Sequence, residues 1–297
     1  MRSVLAAALV AVIATAGCGS ATPAQSQSGT LVVAAAFFPI EQIVEQIAQQ
    51  VGGDLVELVR LVPAGQEAHE YEPTPKQVAA LERADIVFYL GGGFQPSVER
   101  AIGSLPDDVT RVDLRSSLSR TITDDPHAWL DPANMRAMTA TAAATMAAVR
   151  PDLAQQFDAN ATAYERTLAE LDGQFSTALT GCATNTLVSS HQAFAYLATA
   201  YGLTQLSISG VSPLDEPSPK ALAAVVEAAE AAGVTTVFYE GNLPDDLART
   251  VADEIGATTA ALHTLESLST DQLNAGETYI GAMTANLATL RAGLGCP

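Results

Sequence analysis

Positive charge is scarce in this chain. Fourteen Lys and Arg residues face 33 Asp and Glu among 297 residues, a formal net charge of -19. Lys76 and Lys220 are the only lysines, and no basic run occurs. Nucleic acid and anionic membrane are thereby excluded as main partners, because phosphate binding needs clustered Lys and Arg. Hydrophobic residues make up 48% of the chain and charged ones 16%, which excludes general disorder. The length allows one large domain or two of roughly 130–150 residues, each with a core. Trp occurs once, Cys three times and His four times, and these scarce residues prove the informative ones.

Residues Met1–Ala16 hold one Arg and then small apolar residues from Val4 onward. A charged start followed by about a dozen apolar residues marks a secretory signal, too short to span a ~30 Å hydrocarbon core. It ends in Thr15-Ala16-Gly17-Cys18, which resembles the bacterial lipobox and implies cleavage before Cys18 and lipid attachment to its thiol. Thr15 stands where Leu is commonest; an ordinary secretory signal with an incidental Cys is the other reading. The expected division is a signal over 1–17 and a lipidated cysteine with a flexible Ser/Gln/Thr/Ala-rich tether over 18–29. The protein is expected outside the cytoplasm, anchored to the cell membrane, in a periplasm or on the cell surface.

Export leaves Cys182 and Cys296 as the remaining pair, in an oxidising compartment where disulfides persist. A disulfide is the favoured expectation. Joint zinc ligation is the weaker rival, since structural zinc sites draw cysteines in close pairs.

Eight short β-branched runs read as strands: Leu31–Ala35, Leu55–Val62, Ile86–Leu90, Val109–Leu114, Thr186–Ser189, Gln205–Ser209, Val234–Tyr239 and Ala257–Leu262. Continuous apolar runs alternating with helical patterns indicate parallel sheets buried on both faces. Ile40, Ile43, Val44 and Ile47 form one helical stripe within Pro39–Gln50. Thr74-Pro75 and Ser218-Pro219 each open a helix with a cap followed by Pro at the first position. Pro132–Arg150 is a helix that Pro151 ends, and helical spacing from Leu153 to Leu179 predicts a rod of about 40 Å. The predicted class is α/β: two lobes with parallel sheets, 30–150 and 181–297, joined by one long backbone helix over 151–180. One larger sheet with a peripheral helix is the alternative.

His69, His127, His191 and His263 are spaced by 58, 64 and 72 residues, so each lies on a separate connection and none forms HExxH. His69 sits in a Pro-bounded loop, Pro63–Pro75, and His127 in Asp125-Pro-His-Ala-Trp-Leu-Asp-Pro132; His191 directly follows a strand. Ligands of open parallel sheets gather beyond the carboxyl ends of the strands, where remote loops converge. Neutral imidazole suits zinc and similar borderline ions. A metal site and unconnected surface or core histidines both remain open on these grounds.

Pro63–Pro75, Asp125–Pro132, Ser190–Leu197 with Tyr201-Gly202-Leu203, Val237–Glu240 and Leu262–Leu268 resemble the zinc and manganese solute-binding proteins of ABC transporters, the ZnuA/TroA-like family. The resemblance covers nearly the whole mature chain. It implies two α/β lobes joined by a rigid helix, with the ion between them. It also implies His69 and His127 as first-lobe ligands, His191 as a second-lobe ligand, and Glu266 where the family commonly places Asp. His263 or a water is the alternative fourth ligand, and Glu240 an acceptor that orients a ligand imidazole or simply an acid at a helix start. Manganese-type members tend to carry Glu at the position of His191, so imidazole there favours Zn(II) over the alternative Mn(II). The stretch Asp113–Asp125 lacks the His-rich loop of many zinc importers, leaving Asp124 and Asp125 as weak attractors of cations.

The function implied is zinc capture for a membrane ABC permease by a monomeric, non-enzymatic lipoprotein, with a metallochaperone as a possible further partner. Rival functions are a manganese or iron importer, a metal-dependent adhesin and a secreted zinc hydrolase. Binding is expected to weaken as pH falls through about 6.5, where free imidazole protonates.

Overall fold

The structure is a computed structural model describing residues 29–52, 54–241 and 243–297. The expected signal, Cys18 and the tether up to residue 28 lie outside the described residues. Strands β1 (Leu31–Ala35), β2 (Val56–Arg60), β3 (Ile86–Tyr89) and β4 (Thr110–Asp113) form one parallel sheet in the order β2-β1-β3-β4. Strands β5 (Thr186–Ser189), β6 (Thr204–Ser207), β7 (Thr236–Tyr239) and β8 (Thr258–Ala261) form a second in the order β6-β5-β7-β8. The two halves share one topology, which excludes the single larger sheet. In each sheet the two central strands are the apolar, buried ones, such as Val33–Ala35 and Ile86–Phe88, while the edge strands are half-exposed. Burial on both faces selects the Val, Ile and Phe of those central runs.

Helix α1 (Phe38–Ala48) buries the predicted Ile stripe, and α2 (Pro75–Leu81) begins with a capping box between Thr74 and Gln77. After α3 (Pro96–Gly103) and β4, Asp131 caps α4 (Pro132–Val149), accepting a hydrogen bond from the Ala133 amide. Helix α5 (Ala154–Ala178) carries the long rod, and its buried stripe is Phe157, Ala161, Tyr164, Leu168, Leu171 and Phe175. Beyond it come α6 (Ala195–Tyr201), α7 (Pro219–Ala231, capped by Ser218), α8 (Asp246–Ile255), α9 (Thr270–Asn274) and α10 (Tyr279–Gly293). Helix α5 touches α1 and α4 of the first lobe and α10 of the second. It is therefore the shared backbone of both lobes.

Helix α10 returns across the second sheet. At Gly293 an added Cβ would lie 2.5 Å from the Phe238 ring, so only glycine permits this approach to β7. The disulfide between Cys182 and Cys296 ties the end of the chain to the segment after α5, across a separation of 114 residues. Backbone bonds from Ala183 and Thr184 to Gly295 and Leu294 run alongside it. Among the described residues no helix is long and apolar enough to cross a membrane.

Candidate metal centre

The loops leaving β2, β4, β5 and β8 converge between the lobes at the carboxyl ends of both sheets. They bring His69, His127, His191 and Glu266 into one buried cluster whose ligand atoms all lie within 4.8 Å of one another. His69 Nε2 is 3.2 Å from His127 Nε2 and 3.4 Å from Glu266 Oε2. Glu266 Oε1 is 3.2 Å from His127 Nε2 and 3.7 Å from His191 Nε2. Around a tetrahedral zinc with bonds of about 2.0–2.1 Å, ligand atoms stand roughly 3.3–3.4 Å apart. Three of these four separations lie close to that spacing, and the one to His191 is longer.

Each candidate ligand is held by its own loop. The Glu67 carboxylate accepts hydrogen bonds from the His69 and Glu70 amides at 2.7 and 2.8 Å, folding Pro63–Pro75 around the imidazole. Asp125 Oδ1 accepts from both the His127 amide and His127 Nδ1, each at 2.8 Å. That bond assigns the proton to Nδ1 and turns the Nε2 lone pair toward the cluster. The Ser189 hydroxyl donates to the His191 carbonyl at 2.8 Å, fixing the turn out of β5. Leu265, just before Glu266, adopts a left-handed φ of 60°, uncommon for a branched side chain. The Gly65 amide donates across the lobes to the Leu268 carbonyl at 2.8 Å, so the two ligand loops brace one another.

The four residues are almost sealed: exposure is 0% for His127, 1% for His191, 3% for Glu266 and 6% for His69. Both ring nitrogens of His191 and Glu266 Oε1 are buried without a hydrogen-bond partner. Leaving such groups unpaired is costly; a cation in the cluster satisfies His191 Nε2 and Glu266 Oε1, while His191 Nδ1 faces Glu240. Burial works against a charged His127, but Asp125 and Glu266 outweigh it and lift its pKa to about 9. Burial lowers His191, only partly opposed by Glu266. Burial alone would raise the Glu266 carboxyl; bonds to His127, His191 and His69 instead hold it well below the usual range. The donor set is thus three imidazoles and one ionised carboxylate, a combination suited to zinc.

Glu240, after β7, lies beside the cluster. Its Oε2 is 3.5 Å from His191 Nδ1 and its Oε1 accepts from the Thr264 hydroxyl at 2.6 Å. Burial and the nearby Glu266 charge raise its carboxyl to about 8. His263 faces elsewhere, with Nε2 3.5 Å from the Gln272 amide and Asn286 bonded to its backbone. Asp125 is fully buried and committed to His127, whereas the sequence reading gave it only a loose attraction for cations. Its place two residues before a histidine, between acid and proline, was the available signal. A cavity of about 330 Å³ lined by His69, Gly92, Gly93, Arg115, Asp124 and Asp125 adjoins the cluster. A cavity of about 820 Å³ between α5 and α10 contains none of these residues.

The model of the ZnuA family, described as zinc-uptake complex component A, periplasmic, matches residues 33–293. The zinc-binding lipoprotein AdcA of Streptococcus pneumoniae is 31% identical over 283 residues, covering 89% of this chain. The alignment takes in 56% of AdcA, so the chain spans about half the length of that relative. The high-affinity zinc uptake system protein ZnuA of Bacillus subtilis is 30% identical over 307 residues, covering 97% of this chain and 95% of that protein. Among solved structures, the Zn(II)-bound ZnuA-like domain of Streptococcus pneumoniae AdcA superposes with a TM-score of 0.77 at 32% identity. That match covers 90% of this chain and all of the domain.

Proposed function

The chain belongs to the ZnuA family, and from that premise we propose that it captures Zn(II) outside the cytoplasm and delivers it to an ABC permease in the cell membrane. The observation that carries this reading is the sealed cluster of three imidazoles and one carboxylate between the lobes. His69 and His127 hold the ion from the first lobe; His191 and Glu266 close on it from the second. Four protein donors leave no coordination position open to water, which suits capture and release rather than hydrolysis. The ion is cargo, and the protein performs no chemistry on it.

Three nitrogen donors favour zinc over manganese, which prefers more oxygen ligands. Cys18 supplies the membrane anchor and residues 18–29 the tether, with the lobes spanning 30–150 and 181–297 and the linking helix 151–180. Competition titration of metal-free protein tests the assignment. Zinc should bind as a single tight ion and displace manganese; tighter manganese than zinc would overturn it.

A further inference from the structure

Trp129, the only tryptophan, is fully buried two residues after His127, with its ring centroid 5.2 Å from that imidazole. Phe37 and Phe94 pack edgewise or tilted against it, leaving the indole no freedom to turn. Both of its polar groups nevertheless point across to the second lobe. Nε1–H donates to the Thr264 carbonyl at 2.6 Å, and the Trp129 carbonyl accepts from the Tyr279 hydroxyl at 2.6 Å. Thr264 in turn donates its hydroxyl to Glu240, whose other oxygen faces His191 Nδ1, and it stands two residues before Glu266.

We infer that Trp129 and Thr264 form a strap that positions the second-lobe ligands, His191 and Glu266, against His127, and so sets how long the ion is held. The inference rests on the metal-binding reading above and adds the residues that govern release. Glu266 must move away from His127 for the ion to leave, and its loop cannot do so while the indole N–H holds Thr264. Breaking the strap strands a buried donor and a buried carbonyl, so opening is resisted without any contact to the ion. Thr264 acts on a second branch: its hydroxyl fixes Glu240, and Glu240 faces the ring nitrogen of His191 turned away from the cluster. Trp129 and Thr264 are positioning residues, touching the metal only through others.

The test is zinc release from the full chain into excess chelator, followed by stopped flow. Trp129 is replaced by 3-benzothienylalanine, which keeps the bicyclic shape and has sulfur in place of N–H. Release should accelerate on the order of tenfold, the expected effect of one buried hydrogen bond, with association little changed. Thr264→Val should accelerate release similarly and Thr264→Ser should rescue it, which keeps the test informative if the tryptophan analogue does not fold. Release within twofold of wild type in the analogue overturns the strap, and release within twofold in Thr264→Val overturns its Glu240 branch. Failure of the wild-type chain to retain zinc overturns the metal-binding reading itself, and the strap with it.

Discussion

His69 Nε2 and His127 Nε2 lie 3.2 Å apart, although 58 residues separate them in the chain and both side chains are buried. Two imidazole nitrogens so placed cannot both carry protons without repulsion, whereas a cation between them satisfies both lone pairs. Replacing His69, His127 or His191 with Ala should lower zinc affinity by on the order of 10²-fold or more each, a quarter share of a typical four-ligand zinc site. His263→Ala, away from the cluster, should change it less than threefold. Isothermal titration against a competing chelator reads both.

Asp125 sets the orientation of His127 and, together with Glu266, raises its pKa to about 9 against the cost of burial. Below that value zinc must displace a proton from His127, so affinity should fall about tenfold per pH unit from pH 8.5 to 7, well above the 6.5 of free imidazole. Asp125→Asn should flatten this dependence and reduce affinity roughly 10–100-fold, the usual cost of losing a partner behind a ligand. Chelator competition across pH measures the slope. A flat profile down to pH 7 in the wild type would contradict the assignment.

Burial raises the Glu41 carboxyl to about 8, with Arg60 opposing and Glu45 adding to the rise. Its folded pKa thus lies above the unfolded value near 4.5. The stability it supports is complete below about pH 4.5 and is lost as pH rises through about 8. Glu41→Gln should leave metal-free protein near wild-type stability at pH 5 and make it more stable at pH 9, by on the order of 3 kcal/mol. Denaturant unfolding at the two pH values gives the difference directly.

The Cys182–Cys296 disulfide closes a separation of 114 residues. Loop-closure entropy assigns such a crosslink about 4–5 kcal/mol. Replacing both cysteines with Ser should therefore lower the melting temperature by several degrees and release the end of α10. The zinc stoichiometry should remain one, because neither sulfur lies in the cluster.

The central strands were legible because parallel strands buried on both faces write continuous apolar runs, and all eight strands appear within two residues of their expected ends. Helices α2 and α7 were legible from their caps and first-turn prolines, and α4 from the stretch that Pro151 ends. Helix α10 was not: Gly281, Ala282, Ala285, Ala288, Ala292 and Gly293 give little apolar contrast, and its small residues matter only once the sheet it covers is known. At the site, the histidines stood out by scarcity and by their loops. Glu266 came from family resemblance, since nothing local distinguishes it among 33 acids. The bonds from Trp129 to Thr264 and from Thr264 to Glu240 join segments more than 20 residues apart. Only the packed fold brings them together.

The most direct test is a zinc-loaded crystal structure with anomalous data collected on both sides of the zinc edge. The expected result is one ion between the lobes, bonded at about 2.0–2.2 Å to His69, His127 and His191 nitrogens and a Glu266 oxygen. An ion elsewhere, or one at this position that lacks any of the three histidines, would contradict it.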